Sequence, residues 1–387
     1  MAAEPADPGL AMPFPSESSV AELRMLADDL TGALDSAAAF ATPGRPVAVS
    51  WRGVPKPGGA VAYDSASREL DGEQARASVS AIAASLWPDT RSLAFKKIDS
   101  LLRGQEAAEI AAVLAVLRPE YCVVAPAFPA QGRATRGGRQ GVLSADGWHP
   151  VPSDLAGELR SVGLEVAQGA PGTPLPPGIS IWDAESDDDL DMIVATAGKQ
   201  QGVLWVGSAG LAAALARRAG FAPQQPTALP RPLLGLVGSD HEVVRAQLDR
   251  LGPLHHRLTS TEGDDAVAAG LARDGATFVS VDLPAGTPRA EANRRIEARF
   301  AALLGRIDRP GTLFASGGET LRGLCDALGA ERLDVIGEIV AGVPRSLLRG
   351  GRWDGITIVS KSGAFGGPDL LKQLAAGDPA ALAGAAA

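Results

Sequence analysis

Residues 23–40 read LRMLADDLTGALDSAAAF, and this stretch decides the fold because a strand, a turn and a helix follow one another within it. The apolar run over 23–27 predicts a strand that ends at Asp28 and Asp29, and the small residues over 33–40 predict a helix. Ligands of open α/β sheets bind where loops leave the carboxyl ends of parallel strands. The two carboxylates could bind polyol hydroxyls, deprotonate one of them or hold a metal ion, or they could only cap the helix. The stretch by itself leaves these roles open.

The same order of strand, loop and helix repeats along the chain. Such alternation is typical of βαβ units and predicts parallel sheets flanked by helices. The segment 222–232, APQQPTALPRP, has four prolines and no periodicity, so we interpret it as a linker. We therefore predict an α/β fold of two domains, each with a largely parallel sheet, and an active site in the cleft between them. The predicted parts are a disordered leader over 1–20, an N-terminal domain over 21–221, the linker over 222–232 and a C-terminal domain over 233–387.

One region between the predicted strands has little periodic signal. Residues 129–141 are rich in Gly and Arg, and residues 144–178 show a helical pattern only over 153–162. The sequence therefore predicts a loop followed by a single short helix in this region.

The composition indicates a globular protein and excludes several kinds of partner. The 387 residues are 45% hydrophobic and 21% charged, which suits two domains with full cores. A net charge of −9 argues against a nucleic-acid partner, which would need a basic face. The leader lacks the basic start and apolar core of a signal peptide, and no apolar run approaches the ~20 residues of a membrane span. Cys122 and Cys325 make neither a disulfide framework nor a metal site, so we expect reduced, buried thiols in a cytoplasmic protein; a homo-oligomer stays open.

Three loops of the second half share one design, in which a buried strand is followed by glycines and small polar residues. They lie at 238–239, 317–320 and 361–363. Glycine lets backbone N–H groups approach an anion, and the N-terminus of the next helix adds favourable dipole charge. Each loop alone could exist only for packing, but three of them in one domain indicate phosphate binding. The chain has neither a Walker loop nor a G-x-G-x-x-G fingerprint, so neither a P-loop nor a standard dinucleotide fold is supported.

The first half instead collects charged residues at predicted strand ends. Arginine can bind a carboxylate through two parallel hydrogen bonds, and aspartates accept hydrogen bonds from hydroxyls. A lone charge is usually a solvated surface residue, but clustering at loop tips favours a site for a small polyhydroxy acid. The residues are Arg68, Lys96, Lys97, Arg103 and Arg133, with Asp28, Asp29 and Asp99.

Several short segments in both halves of the sequence, taken in order, form a pattern that is typical of one protein family. In the first half they are ADDLTGA at 27–33, DSASR at 64–68, KKIDSLLRG at 96–104 and PAFPAQGRAT at 126–135. In the second half they are GS at 238–239, SGGET at 316–320, ALG at 327–329, GVP at 342–344 and KSGAFG at 361–366. Taken together and in this order, they resemble the four-carbon acid sugar kinase family.

The resemblance implies an N-terminal domain that binds an acid sugar and a C-terminal domain that binds ATP. The residues that would face the sugar acid are Asp28, Asp29, Arg68, Lys96, Asp99 and Arg103. The residues that would face the nucleotide are Ser239, Gly317, Gly318, Glu319, Thr320 and Gly363.

Several positions depart from the family pattern. Leu34 stands where Asn is usual, Leu101 replaces Thr and Gln105 replaces Asn. Residues 240–241, Asp-His, replace small polar residues. Because the first three departures lie around the substrate, the choice among a threonate, an erythronate, an oxo-tetronate and a larger acid stays open.

The resulting hypothesis is an ATP-dependent kinase, a transferase of carbohydrate metabolism, that phosphorylates a terminal hydroxyl of a four-carbon sugar acid. Mg²⁺ would neutralise charge during in-line transfer of the γ-phosphoryl group. Asp29 is preferred as the base over Asp28 and Asp99. The charges of the carboxylate and phosphate would be met by Arg68, Arg103 and Lys96.

Two other functions stay open. A protein of the same fold could bind sugar acid and nucleotide with altered specificity or without catalysis. A phosphatase of the haloacid dehalogenase type would need Asp-x-Asp-x-Thr, whereas Asp28 and Asp29 are adjacent. The sequence identifies no set of metal ligands.

Overall fold

The computed structural model describes residues 23–53, 59–87, 92–222, 227–259, 262–363 and 365–377. The predicted leader over 1–20 lies outside these ranges, as do residues 223–226 of the predicted linker. Within the described ranges, no helix combines the length and apolar character needed to cross a membrane.

The first part of the chain forms a section of parallel sheet flanked by helices. Its strands are β1 (Leu23–Ala27), β2 (Val47–Ser50), β3 (Val61–Asp64), β4 (Leu93–Lys97), β5 (Tyr121–Ala125), β6 (Arg133–Arg136), β7 (Arg139–Ser144), β8 (Gly147–Pro150), β9 (Val166–Gly169), β10 (Gly178–Trp182) and β11 (Val203–Gly207). The helices are α1 (Leu30–Ala38), α2 (Gly72–Leu86), α3 (Glu106–Leu117), α4 (Leu155–Ser161), α5 (Asp187–Ala197) and α6 (Ala209–Arg218). The parallel strands lie in the order β2-β3-β1-β4-β11-β5-β10-β9.

Helices cover both faces of this section, so its strands are apolar on both sides. Met25 and Leu26 are neighbours on β1, and their side chains point to opposite faces because strand side chains alternate. Met25 belongs to one buried core with Leu34 of α1, and Leu26 belongs to another with Ile110 of α3. This double burial explains why the strands read as short apolar runs.

The second part of the chain forms another parallel section. Its strands are β12 (Leu233–Val237), β13 (His255–Leu258), β14 (Ala276–Val281), β15 (Thr312–Ser316), β16 (Arg332–Glu338), β17 (Pro344–Arg349) and β18 (Thr357–Lys361). Its helices are α7 (Glu242–Asp249), α8 (Asp264–Asp274), α9 (Arg289–Arg306), α10 (Gly318–Leu328) and α11 (Leu370–Ala376). The parallel strands lie in the order β13-β14-β12-β15-β18.

The two parallel sections are joined into one 15-stranded sheet, which the sequence did not predict. β18 pairs antiparallel with β17, β17 with β16, and β16 with β2 of the first part. Val47 lies opposite Val335 in the last of these pairs, and both are buried in a core shared by the two parts. The pairing covers two strand edges that would otherwise present free N–H and C=O groups.

Loops of both sections line one cavity, and the twist typical of β-sheets accounts for this arrangement. Six strand-to-strand steps separate β1 from β15. A twist of about 20–25° per step turns the second section through roughly 120–150° relative to the first. Three antiparallel pairings separate β18 from β2, so in a flat sheet the strands of the two sections would point in opposite directions. The accumulated twist reverses most of this difference, and the carboxyl ends of the two sections therefore approach each other.

The predicted loop over 129–141 is wrong, because most of it is strand. β6, β7 and β8 form a separate antiparallel sheet. Gly137 and Gly138 connect β6 to β7 with φ values of 58° and 74°, which suit a two-residue hairpin turn. The predicted helix over 153–162 is confirmed as α4, which covers Leu155–Ser161.

Candidate active site

The turn after β1 and the start of α10 lie close together. A Cβ atom placed on Gly318 would lie 3.6 Å from Thr31 Oγ1 and 3.7 Å from Asp29 Oδ2. The aspartate turn of the first part therefore faces the glycine turn of the second. A cavity beside this contact, called here the cleft cavity, is lined from the first part by Asp29, Arg68, Lys97, Asp99, Arg103 and Arg133 and from the second by Pro344, Lys361, Ser362 and Phe365.

Asp29 combines the two roles that the sequence left open. It is the N-cap of α1, and its Oδ1 accepts a hydrogen bond of 2.9 Å from the Gly32 backbone N–H. Thr31 Oγ1 donates to Oδ2 at 2.5 Å, and Arg68 Nη2 lies 2.8 Å from Oδ1. The carboxylate also lines the cleft cavity and keeps 19% of its side-chain surface exposed. It is therefore a capping group that a substrate can reach.

Asp28 lies behind Asp29 and does not line the cleft cavity. Arg68 Nε donates to its Oδ2 at 2.6 Å, and the side chain is 3% exposed. Burial opposes ionisation, but the charges of Arg68, Lys97 and Lys96 hold the pKa of Asp28 below its usual range. The structure thus makes Asp28 an ionised support for Arg68.

Asp99 is bound by arginine on both oxygens. Arg103 donates through Nε to Oδ2 at 2.6 Å and through Nη2 to Oδ1 at 2.8 Å. Burial raises the pKa of Asp99, but the Arg103 hydrogen bonds and the nearby Arg68 charge lower it more, so the net shift is downward. The Arg103 side chain itself is 58% exposed. The Nε and Nη2 edge of the guanidinium group is bound by Asp99, and the rest of the group is open to the cavity.

Lys96 is turned away from the cleft cavity. Its Nζ lies 2.5 Å from Glu109 Oε2 on α3, and both side chains are fully buried. Ser67 donates to the other Glu109 oxygen at 2.6 Å, so the pair supports the loop that carries Arg68. The next residue, Lys97, lines the cavity instead, because neighbouring strand side chains point to opposite faces.

The predicted nucleotide residues of the second part pack together at three strand ends. A Cβ atom on Gly363 would lie 2.3 Å from Ser239 Oγ, and one on Gly238 would lie 2.0 Å from Thr320 Oγ1. Gly317 has a φ of 106° and is the N-cap of α10, so no side chain caps the first turn that contains Glu319. Unsatisfied N–H groups at such a helix start are favourable partners for phosphate.

Arg133 belongs to the charged cluster that the sequence predicts and also lines the cleft cavity, whereas Phe128 and Phe365 of the cavity were not predicted. Arg133 Nε is buried without a hydrogen-bond partner among the described residues. Phe128 and Phe365, one from each part, form an edge-to-face pair with ring centroids 6.0 Å apart. Phe128 belongs to the segment PAFPAQGRAT and Phe365 to the segment KSGAFG, so the family segments are the sequence signal that could have identified these two residues.

Sequence comparison places the chain among known proteins. It is 32% identical to a D-threonate kinase of Cupriavidus necator over 90% of this chain and 95% of that protein. The chain belongs to the four-carbon acid sugar kinase family. Family models for a sugar-binding N-terminal domain and a nucleotide-binding C-terminal domain match residues 23–155 and 234–371 of this family member.

Other relatives agree with this assignment. The four-carbon acid sugar kinase described here is 27% identical to a D-erythronate kinase of Heliobacterium modesticaldum over 89% of this chain and 94% of that one. The crystal structure of Haemophilus influenzae protein HI1011 has a TM-score of 0.65 and 21% identity, and covers 91% of this chain and 99% of that one. At that identity the likeness shows a shared fold. The first matched domain contains the aspartate turn, and the second contains the three glycine loops.

Proposed function

We propose that the protein is an ATP-dependent kinase that phosphorylates a terminal hydroxyl of a four-carbon sugar acid, namely a threonate, an erythronate or an oxo-tetronate. The observation that carries the proposal is the close approach of Gly318, at the start of α10, to Asp29. A nucleotide on the glycine loops would direct its terminal phosphate at an acceptor bound beside Asp29. The residues of 21–221 would bind the acid and those of 233–387 the nucleotide.

The glycine loops suit a nucleotide. Their glycines let the side chains of Ser239 and Thr320 pack closely, so the three loops form one compact surface. The uncapped start of α10 offers further donors for phosphate oxygens. The residues that would bind ATP are Ser239, Gly317, Gly318, Glu319, Thr320 and Gly363.

Asp29 would act as the base of the reaction. Among the three candidate aspartates it alone both lines the cleft cavity and touches the glycine turn, whereas Asp28 is covered and Asp99 is held by Arg103. The acceptor hydroxyl would give its proton to Asp29 while its oxygen attacks the γ-phosphorus. Positioning supplies most of the rate in such transfers, and closing the cleft excludes water as a competing acceptor.

The sugar acid carboxylate would bind to arginine. Arg68 and Arg103 each use two nitrogen atoms on aspartates, and the remaining N–H groups are available at the cavity edge. Lys96, buried against Glu109, would act indirectly by supporting the Arg68 loop.

Mg²⁺ would reach the site with the triphosphate. Among the described residues no three His, Cys, Asp or Glu side chains are grouped as a metal site, and Mg²⁺ usually binds through phosphates, waters and one or two carboxylates. When bound, the ion would neutralise charge on the transferring group. Both cysteines are free and buried, which supports a cytoplasmic location.

The test is an assay of ATP-dependent phosphorylation over a panel of tetronates and their oxo forms. Asp29→Asn keeps a capping oxygen but removes the base, so we expect kcat to fall about 10²–10⁴-fold while ADP still binds. Asp188→Asn, at an exposed position in the first turn of α5, is the control and should leave kcat unchanged. Turnover of Asp29→Asn at the wild-type rate would rule out this base.

A further inference from the structure

Lys361 is a buried cation without a carboxylate partner. It is the last residue of β18, and its side chain is 1% exposed. Nζ donates to the backbone oxygens of Ser362 and Gly363, each at 3.1 Å, and it pairs with no carboxylate of the described residues. Burial lowers the pKa of Lys361 to about 7. The structure therefore places an ammonium group in the interior, and no carboxylate of the described residues pairs with it.

Three of the other cations of the site have carboxylate partners. Lys96 pairs with Glu109, Arg68 with two aspartates, and Arg103 with Asp99. A buried charge without a counter-charge is costly, and proteins normally pair such groups or bind a ligand there. Lys361 thus differs from these three cations in that it has no carboxylate partner among the described residues, a property it shares with Lys97 and Arg133 of the same cavity. A bound anion would supply the missing negative charge.

The position of Lys361 indicates which anion it meets. Lys361 lies opposite Ser316 in the β15–β18 ladder, and its backbone oxygen accepts a hydrogen bond of 3.0 Å from the Gly317 N–H. The residue two places later, Gly363, packs against Ser239. Lys361 lines the cleft cavity together with Asp29. It therefore borders the glycine loops and shares a cavity with the proposed base, where the end of a triphosphate would lie.

We propose that Lys361 binds the γ-phosphoryl group of the nucleotide during its transfer, an inference that rests on the proposed kinase function. An ammonium group has three donors, and two of them are used by the backbone oxygens, so one is available to a phosphoryl oxygen. In the transfer, the bond between the γ-phosphorus and the β,γ-bridging oxygen breaks, and its electron pair stays on that oxygen, which leaves as part of ADP. A new bond forms between phosphorus and the acceptor oxygen, whose proton passes to Asp29. Lys361 stabilises the negative charge on the phosphoryl oxygens throughout.

The experiment compares Lys361→Met and Lys361→Arg with the wild type. Methionine fills the buried space without a charge, and arginine restores the charge. We expect Lys361→Met to lower kcat about 10²–10³-fold, with partial recovery in Lys361→Arg. Calorimetric binding should show a loss of at least tenfold for a non-hydrolysable ATP analogue, while ADP affinity changes less than threefold. Loss of a merely structural lysine would weaken both nucleotides alike.

The outcomes separate this inference from the proposed function. If the wild type phosphorylates an acid and Lys361→Met does so within threefold of the wild-type kcat, only the Lys361 inference fails. Equal losses of ADP and analogue affinity also overturn it. If the wild type transfers no phosphate to any acid, the proposed function fails, and the difference between analogue and ADP binding still decides whether Lys361 contacts the γ-phosphate. A wild type that binds neither nucleotide overturns both.

Discussion

At the scale of single residues, Gly32 shows how closely the site is packed. A Cβ atom there would lie 2.5 Å from Asp29 Oδ1 and 2.7 Å from Lys97 Nζ. Only a residue without a side chain lets the Gly32 N–H donate to Asp29 while Lys97 stays beside it. The glycine therefore sets the positions of the proposed base and of a cavity cation.

Gly32→Ala should damage activity more than stability. Alanine favours the helix by about 1 kcal/mol, which offsets part of the strain, but its Cβ displaces Asp29 or Lys97. Because small displacements of reacting groups are costly, we expect kcat to fall about 10–100-fold, measured by ADP formation. Gly305→Ala, near the end of α9 where a Cβ meets open space, is the matched control. Equal kcat values for the two variants would contradict this account of Gly32.

At the scale of secondary-structure elements, the loops after β12, β15 and β18 form one unit. Gly363→Ala would bring a Cβ within 2.3 Å of Ser239 Oγ and push two of these loops apart. We expect ADP to bind about tenfold more weakly by calorimetry, a loss of about 1.4 kcal/mol, with sugar-acid binding unchanged. Gly367→Ala, whose Cβ would meet no atom within 4 Å, should bind ADP normally. The same ADP affinity in both variants would show that the loops do not act together.

The elements also show how far the sequence can predict the fold. Parallel strands buried on both faces read as apolar runs between turn residues, so β1, β5 and β12 are visible locally. The hairpin at 133–144 is hidden, because its Arg, Gly and Gln residues show no apolar alternation. The pairing of β16 with β2 joins residues nearly 300 positions apart, and no local pattern encodes its register.

Some features of the candidate site can likewise be predicted from the local sequence, whereas others depend on the packing of the folded chain. The aspartate turn and the glycine loops are local signals at strand ends, and the structure brings both kinds to one cavity. The choice between Lys96 and Lys97 depends on which sheet face each side chain occupies, and this requires the packing of α3. The lack of a counter-charge at Lys361 is a property of its whole surroundings and cannot be read from the segment KSGAFG.

At the scale of the whole molecule, charged groups cross the junction between the two parts. Arg322 of α10 forms an ion pair with the buried Asp64 at the end of β3, and its guanidinium lies 5.1 Å from the Trp51 ring centroid. Asp35 of α1 and Glu338 at the end of β16 also lie at this junction. Burial raises the pKa of Asp35 to about 7, although Lys97 opposes the shift, and burial also raises the pKa of Glu338. Among the described residues the two parts are thus joined by ion pairs, of which Arg322–Asp64 is the most buried, and the junction also holds two carboxyl groups whose ionisation is unfavourable.

Asp35 should make the stability of the protein depend on pH. Its pKa is about 7 in the folded protein and 3.8 in an ordinary carboxyl, so the folded state binds more protons between these values and stability falls as pH rises through this window. Asp35→Asn cannot ionise and should unfold like the wild type at pH 4 but be more stable at pH 8. With allowance for partial exposure, we expect a gain of about 1–3 kcal/mol in the free energy of unfolding, measured with urea at both pH values. Asp188→Asn controls for loss of a surface charge. The contradicting result would be an equal decrease in the free energy of unfolding of the wild type and Asp35→Asn between pH 4 and pH 8. It would show that Asp35 ionises in the folded protein without a cost in stability, and that its burial does not strain the junction.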